Sequence, residues 1–205
     1  RRQNISYFYM ADLNFKRNVR DKEAKAEKKY YDSILPGLEE IDNRWKRAVV
    51  TSPFKEELGK EWGSTYIDKL EIEMKTFDPK IMEMRKQEID LQNEHSELVG
   101  NAEIEFEGET YNLEGMAPFQ KDKDRSVRKR ACGAKFAWYQ KNAEAFDDIY
   151  DRMVKLRHKI ATTLGYENFI ELAYLRMGRI DYGPEEVARY RQRIVDLVVP
   201  IVRKL

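Results

Sequence analysis

The residues from Ala145 to Leu164, AFDDIYDRMVKLRHKIATTL, constrain what this chain can fold into more than any other stretch. Apolar side chains fall at Phe146, Ile149, Met153, Leu156, Ile160 and Leu164, and steps of three or four residues put all six on one helical face. Asp147, Asp148 and Asp151 crowd the start, Lys155, Arg157, His158 and Lys159 the end, and Gly165 offers a left-handed stop. At about 1.5 Å per residue the helix is roughly 30 Å long, enough to cross a small domain. Its apolar stripe therefore requires helical partners. The fold class that follows is mainly α, a multi-helix bundle-like lobe.

Other segments repeat the helical period. Ile5, Phe8, Phe15 and Val19 share a face, and the pattern continues through Tyr30, Tyr31, Ile34 and Leu35. Pro36-Gly37 predicts a break, after which Leu38, Ile41, Trp45 and Ala48 restart the spacing. Ser52-Pro53 and Asp78-Pro79 each place a capping residue before proline and predict helix starts. Between them Glu56 to Trp62 and Thr65 to Lys75 form two short elements parted at Gly63, and from Pro79 a stripe runs through Ile81, Met84, Leu91, His95 and Leu98. Asp124 to Tyr139 is helical with Val127, Ala131, Ala134 and Trp138 inward. Asn168 with Glu171 opens a short helix closed by Gly178, and Gly183-Pro184 opens a last one.

One stretch has a different period. Ala102, Ile104 and Phe106 alternate with Glu103, Glu105 and Glu107, which predicts a small β-hairpin over about 102–113. With Glu107-Gly108 as a two-residue turn, Ile104 faces Tyr111 and Ala102 faces Leu113. A two-stranded ribbon is marginal alone, so its apolar side should rest on helices.

Lys+Arg 38 against Asp+Glu 37 leaves a net charge of +1, so no long-range field favours nucleic acid or acidic lipid. Neither partner is expected. The longest apolar run, Leu197 to Val202, is too short to span a bilayer and contains Pro200. A single Cys132 excludes an intramolecular disulfide and a multi-cysteine zinc site, and sets a reducing compartment as the expectation. The two histidines, His95 and His158, have no second histidine or adjacent glutamate at metal-ligand spacing. By helical phase His95 is a packed core residue and His158 a solvated one. Cys132, among alanines, reads as a small buried side chain. The one basic cluster, KDKDRSVRKR from Lys121 to Arg130, lacks interleaved aromatics and reads as a solvated helix face. Glu39-Glu40 and Asp147-Asp148 read as helix-start charges. No catalytic, cofactor-binding or metal-binding residue emerges.

Several motifs are familiar as a set: TSPFKEELGKEWG from Thr51, KTFDPKIME from Lys75, IEFEGETYNLEGMAPF from Ile104, DRSVRKRA from Asp124, and DDIYDRMVKLRHKIATTLGYENFIELAYLRMGRIDYGPEEV from Asp147. They resemble oligoendopeptidase F, a family of thimet-oligopeptidase-type zinc metallopeptidases, over nearly the whole chain. The resemblance implies a cytoplasmic enzyme that cleaves short peptides in a channel between helical lobes. It also implies a division into 1–117, a helical region with the hairpin; 118–182, a module similar to the family's N-terminal domain; and 183–205, the first helix of the catalytic domain. The family's H-E-x-x-H helix has no counterpart here. With no initiator methionine and an apolar pattern still running at Leu205, the chain reads as an interior piece whose zinc ligands and general base lie in a C-terminal catalytic region outside it. The function implied is that of a non-catalytic lobe walling the substrate channel, inactive by itself. The alternative is a free-standing helical module that binds a protein partner.

Overall fold

A computed structural model describes residues 2–204, with side chains from Ser6 to Lys204. The side chains of Ile5 and Leu205, invoked above, lie outside that range. The described chain forms two compact units: residues up to Pro36 with Met82–Arg157, and Gly37–Ile81 with the segment from His158 onward.

The first unit contains α1 (Arg2–Arg17), the opening part of α2 (Lys22–Val50), α5 (Met82–Gly100), β1 (Ile104–Phe106), β2 (Glu109–Tyr111), α6 (Ala117–Gln120), α7 (Arg125–Lys141) and most of α8 (Ala143–Thr163). The apolar period predicts one helical pattern across Ile5 to Leu35, but the chain turns between α1 and α2. Asp21 causes the restart: its carboxylate accepts from the Glu23 and Ala24 amides at 2.9 and 3.1 Å, capping α2. Phe15 and Val19 are buried, and Gly100 ends α5 against Val19, where a Cβ would come within 2.8 Å of the valine side chain.

The predicted break at Pro36-Gly37 does not occur. The α2 helix runs through Pro36, whose ring is fully buried. Apolar burial there offsets the amide donor that proline lacks. The residue marks a boundary between units rather than the end of a helix. Glu39 and Glu40 consequently stand mid-helix and are not helix-start charges.

The hairpin agrees with its sequence pattern. Ile104 pairs with Tyr111, Glu105 with Thr110 and Phe106 with Glu109. Both turn residues have positive φ, 52° at Glu107 and 84° at Gly108, the combination of a type I′ turn. Ala102, Ile104, Phe106 and Leu113 form one buried cluster with Met116 and Ala131, against which Val127, Ala134 and Trp138 of α7 pack. At the N-terminus of α7, Asp124 caps the helix by accepting from the Ser126 amide at 2.7 Å.

Two polar clusters are buried in this unit. The Glu88 carboxylate on α5, 2% exposed, accepts from Arg85 at 2.5 Å and from Arg157 of α8 at 2.8 Å. Lys28 on α2 donates to both oxygens of Asp32 at 2.5 and 2.7 Å, and Asn93 on α5 donates to Asp32 at 2.7 Å.

The second unit contains the rest of α2, α3 (Lys55–Trp62), α4 (Ser64–Met74), α9 (Phe169–Arg176), α10 (Pro184–Arg193), a π turn (Ile194–Val198) and α11 (Val199–Val202). Val49, Ile67 and Leu70 form a small core with Val50 and Leu58. Ser52-Pro53 makes a turn rather than the first helical position, because Ser52 Oγ accepts from Phe54 and α3 starts only at Lys55. Asp78 does initiate: it accepts from the Lys80 amide at 2.9 Å, and a 3-10 turn, Pro79–Ile81, leads into α5. Asn168 caps α9 through the Ile170 amide at 2.8 Å. On α10, Glu186 accepts from the Gly183 amide at 2.9 Å, which lowers its carboxyl pKa. Tyr190, Leu197 and Ile201 on the last helical stretch are 63–67% exposed.

Replacing Ile104 by Asp should destabilise the fold by about 3 kcal/mol or more, since a charge would enter the apolar cluster, whereas Glu105→Lys should stay within about 0.5 kcal/mol. Urea unfolding checks both, and a neutral Ile104→Asp would refute the packing. Asp124 generates a pH prediction. Its cap bond to the Ser126 amide holds its pKa below the ordinary 3.8. A depressed folded pKa contributes stability above the unfolded value and loses it as pH falls through the folded one. Wild type and Asp124→Ala should therefore differ in melting temperature at neutral pH and converge on acidification below about pH 4.

Candidate functional site

The sequence left a short series of residues with chemical potential, and each has a definite place. His95 departs from its expected role. It is exposed on α5, and its ring meets Phe146 edge-on at 5.8 Å between centroids. The α5 stripe does face α8, but at His95 the surface opens into a depression lined also by Lys16, Leu91, Ile149 and Met153. His158 is exposed, as its phase indicates. The two belong to different units. Cys132 is half-buried, and Gln120 Nε2 lies 3.5 Å from its sulfur, which makes it less enclosed than its alanine neighbours suggest.

The basic run from Lys121 spends its charges locally. Arg128 donates to the carbonyls of Asp122 and Lys123 at 2.7 and 2.9 Å. Arg130 pairs with Glu107 at the hairpin turn and lies over the Phe106 ring, 5.7 Å from its centroid. These contacts clamp the turn to α7. Asp148, four residues before Arg152, holds that guanidinium at 2.8 Å, and Glu94 of α5 holds it at 2.6 Å. In the second unit Lys46 joins Asp42 at 2.7 Å and Glu73 at 2.5 Å. Burial would lower the Lys46 pKa, but hydrogen bonds to both carboxylates outweigh it and raise the value.

A zinc site needs three or four nitrogen, sulfur or oxygen ligands converging at about 2.0–2.3 Å. Among the described residues no group of three His, Cys, Asp or Glu side chains is so disposed. The described residues thus do not fit the metal that the resemblance implies. Cys132 contacts the Gln120 side-chain amide, and His95 contacts a phenyl ring. Among the described residues no helix is long and apolar enough to cross a membrane.

Comparison with known proteins gives these observations a frame. Residues 1–77 match the Peptidase M3 N-terminal domain. The solved structure of Pz peptidase A with an inhibitor superposes with a TM-score of 0.90 at 39% identity, covering 94% of this chain and 34% of that one. A protein assigned as an oligoendopeptidase F superposes at 0.92 with 35% identity, covering 97% of this chain and 35% of its own. A third, assigned likewise, from Bacillus anthracis, superposes at 0.91 with 34% identity, covering 96% and 36%. Over nearly its whole length the chain is thus similar to an N-terminal portion of oligoendopeptidase F-type M3 peptidases. It spans about a third of the length of these relatives and corresponds to an N-terminal portion of them. Curated proteins yield no match. In this chain the Glu107–Arg130 clamp and the Glu88 cluster are fold-holding elements. The sequence motifs that carried the resemblance now have structural meaning: IEFEGETYNLEG is the hairpin, and DRSVRKRA is the capped start of α7.

Neither histidine has ligand partners, so calorimetric titration of the 205-residue chain with zinc should give only weak binding typical of surface histidines. Stoichiometric submicromolar binding would disprove this reading.

Proposed function

We propose that this chain is the non-catalytic N-terminal lobe of a zinc-dependent oligoendopeptidase that hydrolyses short peptides in the cytoplasm, and that it forms part of the wall of the substrate channel. The observation that carries the proposal is the 34–39% identity to peptidases over 94–97% of this chain, with TM-scores of 0.90–0.92. No H-E-x-x-H motif occurs in the chain, so no bond-breaking step is assigned to its residues. Their role is to shape and hold. On this reading the whole enzyme's zinc ligands and general base belong to a C-terminal catalytic region, its partner in the active protein. Residues 1–117 and 118–182 form successive parts of the lobe, and 183–205 form the first helix of that catalytic region. The exposed Leu197 and Ile201 support this, because a run of exposed apolar side chains on one helical stretch marks a contact surface.

The chain alone should cleave no quenched fluorescent oligopeptide, with or without a metal chelator. Joined to a catalytic region of the same family, it should support chelator-sensitive cleavage. Chelator-resistant hydrolysis by the 205 residues alone would place catalysis in this lobe and overturn the assignment. A catalytic region fully active without the lobe would deny it a part in forming the channel.

A further inference from the structure

The helical stretch from Pro184 to Val202 changes period part-way along. Val187 and Ile194, seven residues apart, are both half-buried. Two turns of an unbroken α-helix take about seven residues, so Ile201, seven further on, would continue the same face. It does not. Ile201 is 63% exposed, and the half-buried position is Val199, five residues after Ile194.

The five-residue step is the π turn itself. The Val199 amide donates to the Ile194 carbonyl, an i→i+5 bond in place of the α-helical i→i+4. Such a turn takes up one extra residue, so everything after it is rotated by about 100° from its α-helical phase. The rotation brings Val199 inward and carries Ile201 outward, one turn on from the exposed Leu197.

Pro200 supplies the cause. In an unbroken helix its ring would collide with the carbonyl of Asp196, four residues back, and it has no amide to donate. With the preceding turn widened, Pro200 becomes the second residue of α11, where a missing amide costs little. Gln192 ties the turn to α10, donating from Nε2 to the Asp196 carboxylate at 2.8 Å.

We propose that Pro200 and the π turn form a register device: they hold Ile201 on the outward contact surface with Leu197, and relaxation of the turn to α-helix would withdraw it toward the face of Val187 and Ile194. That this surface serves a catalytic region rests on the peptidase reading; the geometry does not.

Thiol labelling of the full 205-residue chain with a maleimide probe tests it, in a Cys132→Ser background carrying either Ile201→Cys or Val199→Cys. The thiol at position 201 should react severalfold faster than the one at 199. Adding Pro200→Ala lets the turn close to α-helix and should reverse that order. Deleting Val195 from the Pro200→Ala chains should restore it, because one residue fewer returns the phase that the π turn had supplied. Equal rates at the two positions before any change at Pro200, an unreversed order after Pro200→Ala, or no restoration by the deletion would overturn the proposal. The measurement involves no catalytic region and no peptide cleavage, so its failure would leave the peptidase reading standing, and failure of the cleavage experiment would leave the labelling order unchanged.

Discussion

The carboxylate of Glu88 is the contact on which the first unit most depends. Moving such a group out of water is costly, and the cost is met only because each oxygen has its own guanidinium, Arg85 from the same helix and Arg157 from α8. The arrangement is intolerant of sliding. Shifting α8 along α5 by one helical turn would carry Arg157 about 5.4 Å away and strip the buried carboxylate of its α8 partner. Apolar contacts such as Leu91 and Ile149 supply much of the attraction, but they accept many registers; the ion cluster selects one. Lys28 with Asp32 and Asn93 does the same between α2 and α5. The depression beside His95, lined also by Lys16 and Met153, inherits its shape from these fixed registers.

What the sequence reveals is local physics. The α8 stripe, the hairpin register, the Asn168 cap and the stop at Gly165 were all legible, because each depends on residues within a few positions of one another. Departures arose where distant residues decide. Pro36 is a helix breaker by its own chemistry, and only burial of its ring lets α2 continue. His95 has the phase of a core residue, yet nothing in phase says whether the opposite wall is packed or open. The Asp21 cap was a missed local signal: an aspartate followed by Glu23 and Ala24 marks a helix start, and the surrounding apolar period concealed it.

The chemistry followed a similar division. The absence of H-E-x-x-H could be read directly. The depression beside His95 could not be read. Its walls come from Lys16, Leu91, His95 and Phe146, residues that become neighbours only through the packing of α1, α5 and α8. The family resemblance rested on motifs that prove to be structural: turn, cap and clamp.

The boundary between the units has a consequence for how the chain unfolds. It crosses two helices, α2 after Pro36 and α8 after Arg157, and meets the junction between the Pro79–Ile81 turn and α5. Helical hydrogen bonds are cooperative along the chain, and a short stub detached from its packing is marginal in water. Melting either unit would strip neighbouring turns from α2 and α8 in the other. Unfolding of either unit therefore costs the other part of α2 and of α8, although each has a core of its own.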